Sequence, residues 1–419
     1  MTSRITPDAE VQRIDDVADG LPRPRRGWSA VAIWLALLLS VLDATIANVA
    51  LPTIAGDLGT TPDRSIWVIN AYQIAITMTL LPLASLGDIV GFKRVYLVGV
   101  TLFVLASLSC TLASGLTELA VSRFAQGLGA AAVMAVNGAL VRLTYPKAVL
   151  GRGIGYNVLV LAVGSAAGPS VAAAVLSIGS WRWLFAINLP LGIAALVIGF
   201  RALPDVAVVA RRYDWRKALL SAAAFAALFL GASGLVRGDA PQFPLVELAI
   251  GAAIFLALLR ISRDDPAPLV PIDLLRVRTL RLSYATSACS FAAQMIAFVA
   301  LPFFFLAHFH SSRAMVGLLL TPWPLGAAVC APLAGRLVER VSAGLLGFIG
   351  LVATAAGLLL LALIPAGGGY AAIIAATALC GAGFGFFQAP NNRTMLGAAL
   401  AGFASLISLS RTTGAAHSG

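Results

Sequence analysis

Leu42-Asp43-Ala44-Thr45-Ile46-Ala47-Asn48-Val49-Ala50-Leu51-Pro52 closes an apolar run that begins near Ala30. The run, roughly residues 28–51, is long enough to span a bilayer, which takes about 20 apolar residues. Asp43 lies about 13 residues past its start, roughly 20 Å along a helix rising ~1.5 Å per residue. A carboxylate at that depth costs at least ~2.5 kcal/mol and normally faces a cavity or a partner, so its default reading is functional. It could trade a proton for a cationic substrate. The plainer reading is an acid paired structurally with a neighbouring span.

Working outward, similar runs recur along the whole chain. Eleven more candidate spans fall at roughly 66–86, 95–115, 118–141, 153–178, 183–203, 218–236, 243–260, 282–307, 314–334, 343–364 and 370–390, with a weaker stretch at about 396–410. The chain of 419 residues is 59% hydrophobic and only 11% charged. A soluble domain carries about 25% charged residues because its surface faces water. So few charges can cover the ends of a bundle whose sides face lipid, but not a globule of this size. The expected fold is therefore an all-α polytopic transmembrane bundle of about twelve spans plus a partial thirteenth.

Lys and Arg set the orientation. They cluster in the first 27 residues and in the segments after spans 2, 4, 6, 8, 10 and 12, whereas the alternate segments hold only Arg64, Arg182, Arg237 and Arg313. By the positive-inside rule the N-terminus is cytoplasmic, and the protein is a multi-pass resident of the inner membrane. The net charge of +11 could suit nucleic acid, but its short clusters between apolar stretches read as topology signals instead. Residues 1–27 are polar and lack an early apolar core, so they read as a cytoplasmic tail rather than a signal peptide. The rest divides into a six-helix bundle (28–203), an inserted helix pair with its loops (204–281) and an incomplete second bundle (282–419). Pro82-Leu83-Ala84 and Pro332-Leu333-Ala334, each just before a charged turn, are a faint internal echo of the kind that paired transporter halves leave.

Cysteines and histidines offer little chemistry. Cys110, Cys289, Cys330 and Cys380 stand in apolar stretches without a Cys-x-x-Cys pair and are expected as small core residues. Three scattered histidines make no metal site, and no cofactor is expected beyond a proton gradient. No His-Glu-x-x-His or Gly-x-Ser-x-Gly string suggests an enzyme.

Four segments besides that of Asp43 carry polar or bending residues. Span 4 holds Ser122-Arg123-Phe124-Ala125-Gln126-Gly127-Leu128-Gly129. Arg123 either snorkels to the head groups or holds a carboxylate's charge in a proton relay, with Gln126 as a polar neighbour. Ala84-Ser85-Leu86-Gly87-Asp88-Ile89-Val90-Gly91-Phe92-Lys93-Arg94 joins spans 2 and 3, with glycines for a tight turn. Span 5 holds Gly164-Ser165-Ala166-Ala167-Gly168-Pro169, where Gly164 and Gly168 share a face and Pro169 removes a backbone donor. Trp181-Arg182-Trp183-Leu184-Phe185-Ala186-Ile187-Asn188-Leu189-Pro190 opens span 6.

Together these strings, with Gly381-Ala382-Gly383-Phe384-Gly385 and Pro390-Asn391-Asn392-Arg393, resemble the fourteen-helix drug:proton antiporter branch of the major facilitator superfamily, over about residues 30–400. The resemblance implies proton-driven export of hydrophobic or cationic compounds by a monomer, whose partners are substrate, protons and the lipid bilayer, not nucleic acid. It assigns Asp43, Arg123 and Gln126 to proton coupling or substrate, Asp88, Gly91, Lys93 and Arg94 to an interdomain gate, and Gly164, Gly168 and Pro169 to an antiporter bend. It also makes spans 7 and 8 the pair inserted between two six-helix bundles. The family's gate turn has a glycine where Ala84 stands and an arginine where Ile89 stands, and its pattern continues past span 12 with two further spans, so a shortened C-terminus is expected. A carrier of a natural metabolite and a non-transporting remnant are the competing readings.

Overall fold

In lipid every backbone polar group must be satisfied within the chain, which leaves helices or a closed barrel as solutions. The computed structural model describes residues 20–205, 213–237, 240–262, 277–309, 313–365 and 369–415, and among these the regular structure is helical throughout. The long helices are α1 (Arg25–Asp57), α2 (Trp67–Val90), α3 (Phe92–Leu112), α4 (Leu116–Thr144), α5 (Leu150–Ile178) and α6 (Asn188–Ala202), then α7 (Trp215–Arg237), α8 (Gln242–Ile261), α9 (Arg278–His308), α10 (Pro322–Leu337), α11 (Ala343–Leu363) and α12 (Tyr370–Ala415). Eleven stretches among the described residues are long and apolar enough to cross a bilayer. With α9, 31 residues long, each of the twelve expected spans is a helix.

Four details differ from the sequence expectation. Span 6 starts with a separate turn, Arg182–Ala186, although Ile187 keeps helical dihedrals of φ −57° and ψ −29°. Span 10 is Arg313–Leu320 followed by α10, which restarts at Pro322, where the missing N–H of proline suits a first helical turn. The stretch at 396–410 is not an element of its own but continues α12, a helix of 46 residues whose membrane-length part is Tyr370–Met395. Nor are all four cysteines in the core: Cys110 and Cys380 are buried, Cys330 is half-buried and Cys289 is exposed. Apolarity places a thiol in a span without saying which way it points.

The chain divides into two compact units, residues 1–153 with 167–270 and residues 154–166 with 271–419. In the first, α4 is the central helix and packs against α2 and α3. Gly127 and Gly129 permit this: a Cβ at 127 would sit 2.5 Å from the Tyr72 carbonyl oxygen of α2, and one at 129 would sit 2.6 Å from the Phe103 nitrogen of α3. α7 lies against α2, where the Tyr213 hydroxyl just before it donates to the Pro82 carbonyl at 3.2 Å, and α8 lies against α7. α7 and α8 thus group with the first unit.

The second unit repeats the device. Its α12 packs against α10 and α11, with Gly381 against the Trp323 carbonyl and Gly383 2.5 Å from the Gly350 carbonyl oxygen, each distance being that of an added Cβ. Glycines two apart on α4 and on α12 therefore serve two neighbours each. Pro82 and Pro332, the anchors of the faint echo, lie inside the corresponding helices α2 and α10.

Candidate functional site

Placing α4 directly against α2 and α3 brings the polar residues one turn before Gly127 into the middle of the first unit. Arg123 is 1% exposed there, so its guanidinium does not reach a head-group layer. Its Nε donates to the Val68 carbonyl of α2 at 3.1 Å, and its Nη1 donates to Gln126 Oε1 at 2.6 Å and to Asp43 Oδ2. The guanidinium carbon lies 4.3 Å from the centre of the Tyr72 ring and 5.5 Å from that of Phe185, a cation–π setting that shields the cation from lipid. Tyr72 is itself fixed, since its hydroxyl donates to the Ser40 carbonyl at 2.9 Å.

Asp43, 2% exposed, faces donors on every side. Oδ2 takes the Arg123 bond, while Oδ1 accepts from Gln126 Nε2 at 2.9 Å and from Asn188 Nδ2 at 2.7 Å. Gln126 Nε2 also donates to Ser107 Oγ at 2.8 Å, and the Cys110 thiol approaches Gln126 Oε1 at 3.7 Å. Five helices, α1, α2, α3, α4 and α6, thus supply one buried network around one carboxylate. Opposite charges in a low-dielectric interior are tolerated only when each is paired and hydrogen-bonded, as both are here. Chemically, such a site holds one buried charge of each sign, each serving as the other's counter-charge.

Asn188, Ser107 and Tyr72 were not among the residues singled out from sequence. Asn188 was legible only as part of the Trp181–Pro190 string, and the geometry shows what that string does. Trp181 Nε1 donates to Asp57 Oδ2 at 2.8 Å, and Arg182 reaches the same oxygen at 2.9 Å and the Ala113 carbonyl at 3.1 Å. This clasp ties the ends of α1 and α3 to the start of α6 and so fixes where Asn188 enters. Asn188 is fully buried, and its Oδ1 has no hydrogen-bond partner.

Other charged and bending residues lie elsewhere. Asp88, Gly91, Lys93 and Arg94 form the α2–α3 turn, where Gly91 adopts φ +103° and ψ 132°, a left-handed value that other residues rarely take. Lys93 stands 3.9 Å from Asp205 and over the Phe200 ring at 5.7 Å, while Asp88 and Arg94 are exposed. Gly164, Gly168 and Pro169 all lie within the continuous helix α5. A Cβ at Gly168 would sit 2.0 Å from Thr45 Oγ1, so α5 crosses α1 with its backbone against the Thr45 side chain, two residues past Asp43. Glu118 is engaged at the start of α4, accepting from the Ser114 amide and hydroxyl at 2.9 Å each. Asp214 caps α7 by accepting from the Arg216 and Lys217 amides.

Among the described residues, no such charge pair stands at the matching place in the second unit. Counting back from Gly381 as Arg123 counts back from Gly127 gives Thr377, buried and bonded to its own helix at Ile373, and the counterpart of Gln126 is Cys380. The chemistry of the two units is therefore unequal although their packing is alike.

Comparison with known proteins fits this architecture. The chain is 50% identical over 381 residues to the uncharacterized transporter YebQ of Escherichia coli strain K12, covering 90% of this chain and 83% of that one. It is 32% identical over 367 residues to the multidrug resistance protein Stp of Mycobacterium tuberculosis, covering 86% and 67%. Among solved structures, the proton:xylose symporter XylE superposes with a TM-score of 0.61 at 14% identity, covering 88% of this chain and 81% of that one, which speaks to the fold alone. The Major Facilitator Superfamily sequence profile matches residues 33–416. A transporter-type bundle with paired packing, a transporter relative at half identity and a profile match along nearly the whole chain lead to one conclusion: the chain belongs to the Major Facilitator Superfamily.

Proposed function

We propose that this transporter is a proton-coupled antiporter that exports hydrophobic or cationic small molecules across the inner membrane, N-terminus cytoplasmic, in the manner of the fourteen-helix drug:proton branch. The observation that carries this reading is the buried Asp43–Arg123 pair with Gln126 and Asn188 around it. A cationic substrate and a proton compete for one carboxylate, so binding one favours release of the other. Protonated on Oδ1, Asp43 needs an acceptor where it now faces donors. The unpartnered Asn188 Oδ1 provides one if the amide turns over, and that turn breaks no other bond of Asn188. The α2–α3 turn with Asp88, Gly91, Lys93 and Arg94 is the gate in this reading, and Gly164, Gly168 and Pro169 are the bend. The multidrug name of Stp supports a drug-like substrate.

The test is ethidium efflux from energised cells expressing the chain, with and without a protonophore, beside Asp43→Asn at equal membrane level. Efflux that the protonophore abolishes and the variant lacks is the expected result. Efflux unchanged by either would remove proton coupling through Asp43.

A further inference from the structure

The first turns of α1 border a cavity of about 600 Å³ that is separate from the Asp43 network. Arg23, Arg26, Gly27, Trp28, Trp34 and Tyr145 line it, and no acid is among the lining residues. Arg25, between the two lining arginines, is used otherwise: Nε and Nη2 donate to the Ala202 and Leu203 carbonyls at 3.1 and 3.2 Å. The lead-in to α1 is also tied down, by Leu21 N to the Thr144 carbonyl at 3.1 Å and by Ser29 Oγ to Thr144 Oγ1 at 2.8 Å. These bonds join the start of α1 to the ends of α4 and α6, so the walls are held in place without a ligand. A Cβ at Gly27 would meet nothing within 4 Å, so the cavity is open at that position.

The lining is graded along the helix. Arg23 and Arg26 line one end of a mostly apolar wall, whereas Ala30, Val31 and Trp34 continue into the apolar run, roughly 12 Å further on from Arg26 to Trp34. Trp28, 57% exposed, and Tyr145 stand between, as amphipathic rings do at a membrane–water boundary. A ligand that matches has an anionic head, a polar middle and an apolar tail. A free phosphate would use only the arginine end and leave the apolar wall wet. We propose that this cavity is a binding site for an anionic phospholipid, its phosphate held by Arg23 and Arg26 and its glycerol and first acyl carbons lying along Trp28, Tyr145 and Trp34.

The site owes nothing to the proposed transport cycle and can be tested without it. Purified full-length chain in a neutral detergent is titrated with phosphatidylglycerol, with phosphatidylcholine and with inorganic phosphate, and bound lipid is counted by native mass spectrometry. Phosphatidylglycerol should bind in preference to phosphatidylcholine. Arg23→Gln with Arg26→Gln should weaken it roughly 25-fold, at about fivefold per guanidinium. Gly27→Phe keeps every charge and fills the opening, and should lower occupancy as strongly. Equal binding of both lipids, displacement of phosphatidylglycerol by millimolar phosphate, or full binding by the Gly27→Phe chain would each overturn the proposal.

Discussion

Neutralising one member of the Asp43–Arg123 pair should harm the fold more than neutralising both. Asp43→Asn leaves the Arg123 cation buried with the Val68 carbonyl, the Gln126 oxygen and the Tyr72 ring, but without a counter-charge. The new amide also places N–H groups against the donors of Gln126, Asn188 or Arg123 whichever way it turns. Arg123→Gln leaves a carboxylate with two neutral donors. Each single change removes one side of a fully buried pair, which costs about 3–5 kcal/mol. The double variant buries no charge, and its two amides can bond to each other, so its residual cost is about 1–2 kcal/mol. The double-mutant cycle should therefore show a coupling of at least ~3 kcal/mol, far from the near-zero value of independent sites. Cys110, fully buried beside Gln126, supplies the assay. In a background with Cys289, Cys330 and Cys380 replaced by alanine, a maleimide dye reports exposure of Cys110 as denaturing detergent is raised. Single changes that simply add up in the double variant would refute the view that these two charges depend on one another.

Three further outcomes follow from the geometry. Gly168→Ala puts a methyl 2.0 Å from Thr45 Oγ1, which is held by the Val41 and Leu42 carbonyls, and should cost ~1–3 kcal/mol by overpacking, with Thr45→Gly restoring the unfolding midpoint. Asn188→Ala removes a donor 2.7 Å from Asp43, a bond to a charged group worth ~1.5–3 kcal/mol, and should slow efflux at least about tenfold and alter its pH profile at normal expression; an unchanged rate and profile would leave Asn188 a packing residue. The Trp181 indole and the Arg182 guanidinium hold the Asp57 carboxyl below its ordinary value of 3.8, outside the spanning part of α1. With a depressed folded pKa, the clasp's stability is fully present above 3.8 and is lost as pH falls through the lowered value. Asp57→Asn should therefore flatten the acid limb of a stability–pH curve and leave its slope at neutral pH unchanged.

Much of the fold was legible because the bilayer restricts it. Twenty apolar residues in a row have one structural meaning, and the twelve long helices stand where such runs stand. The breaks were less legible. Nothing in the composition of 370–410 separates one long helix from two, because Pro390 is tolerated inside a helix whose neighbours reinforce it. Asp43 and Arg123 were conspicuous as lone charges in apolar spans. Asn188 and Ser107 were not, since a neutral polar residue costs little in a span and gives no signal of its partner.

By itself, then, the sequence determined that this protein spans a membrane many times and that one carboxylate, Asp43, lies at depth. It did so because the cost of placing a charge in hydrocarbon depends on position along one helix. Which atoms satisfy that charge was decided only in three dimensions. Gly127 and Gly129 bring α4 against α2 and α3, the Trp181–Arg182–Asp57 clasp sets the start of α6, and the crossing at Gly168 brings α5 onto α1 beside Asp43. Hydrogen bonds act over about 3 Å, and residues up to 145 positions apart come within that reach only when five helices pack.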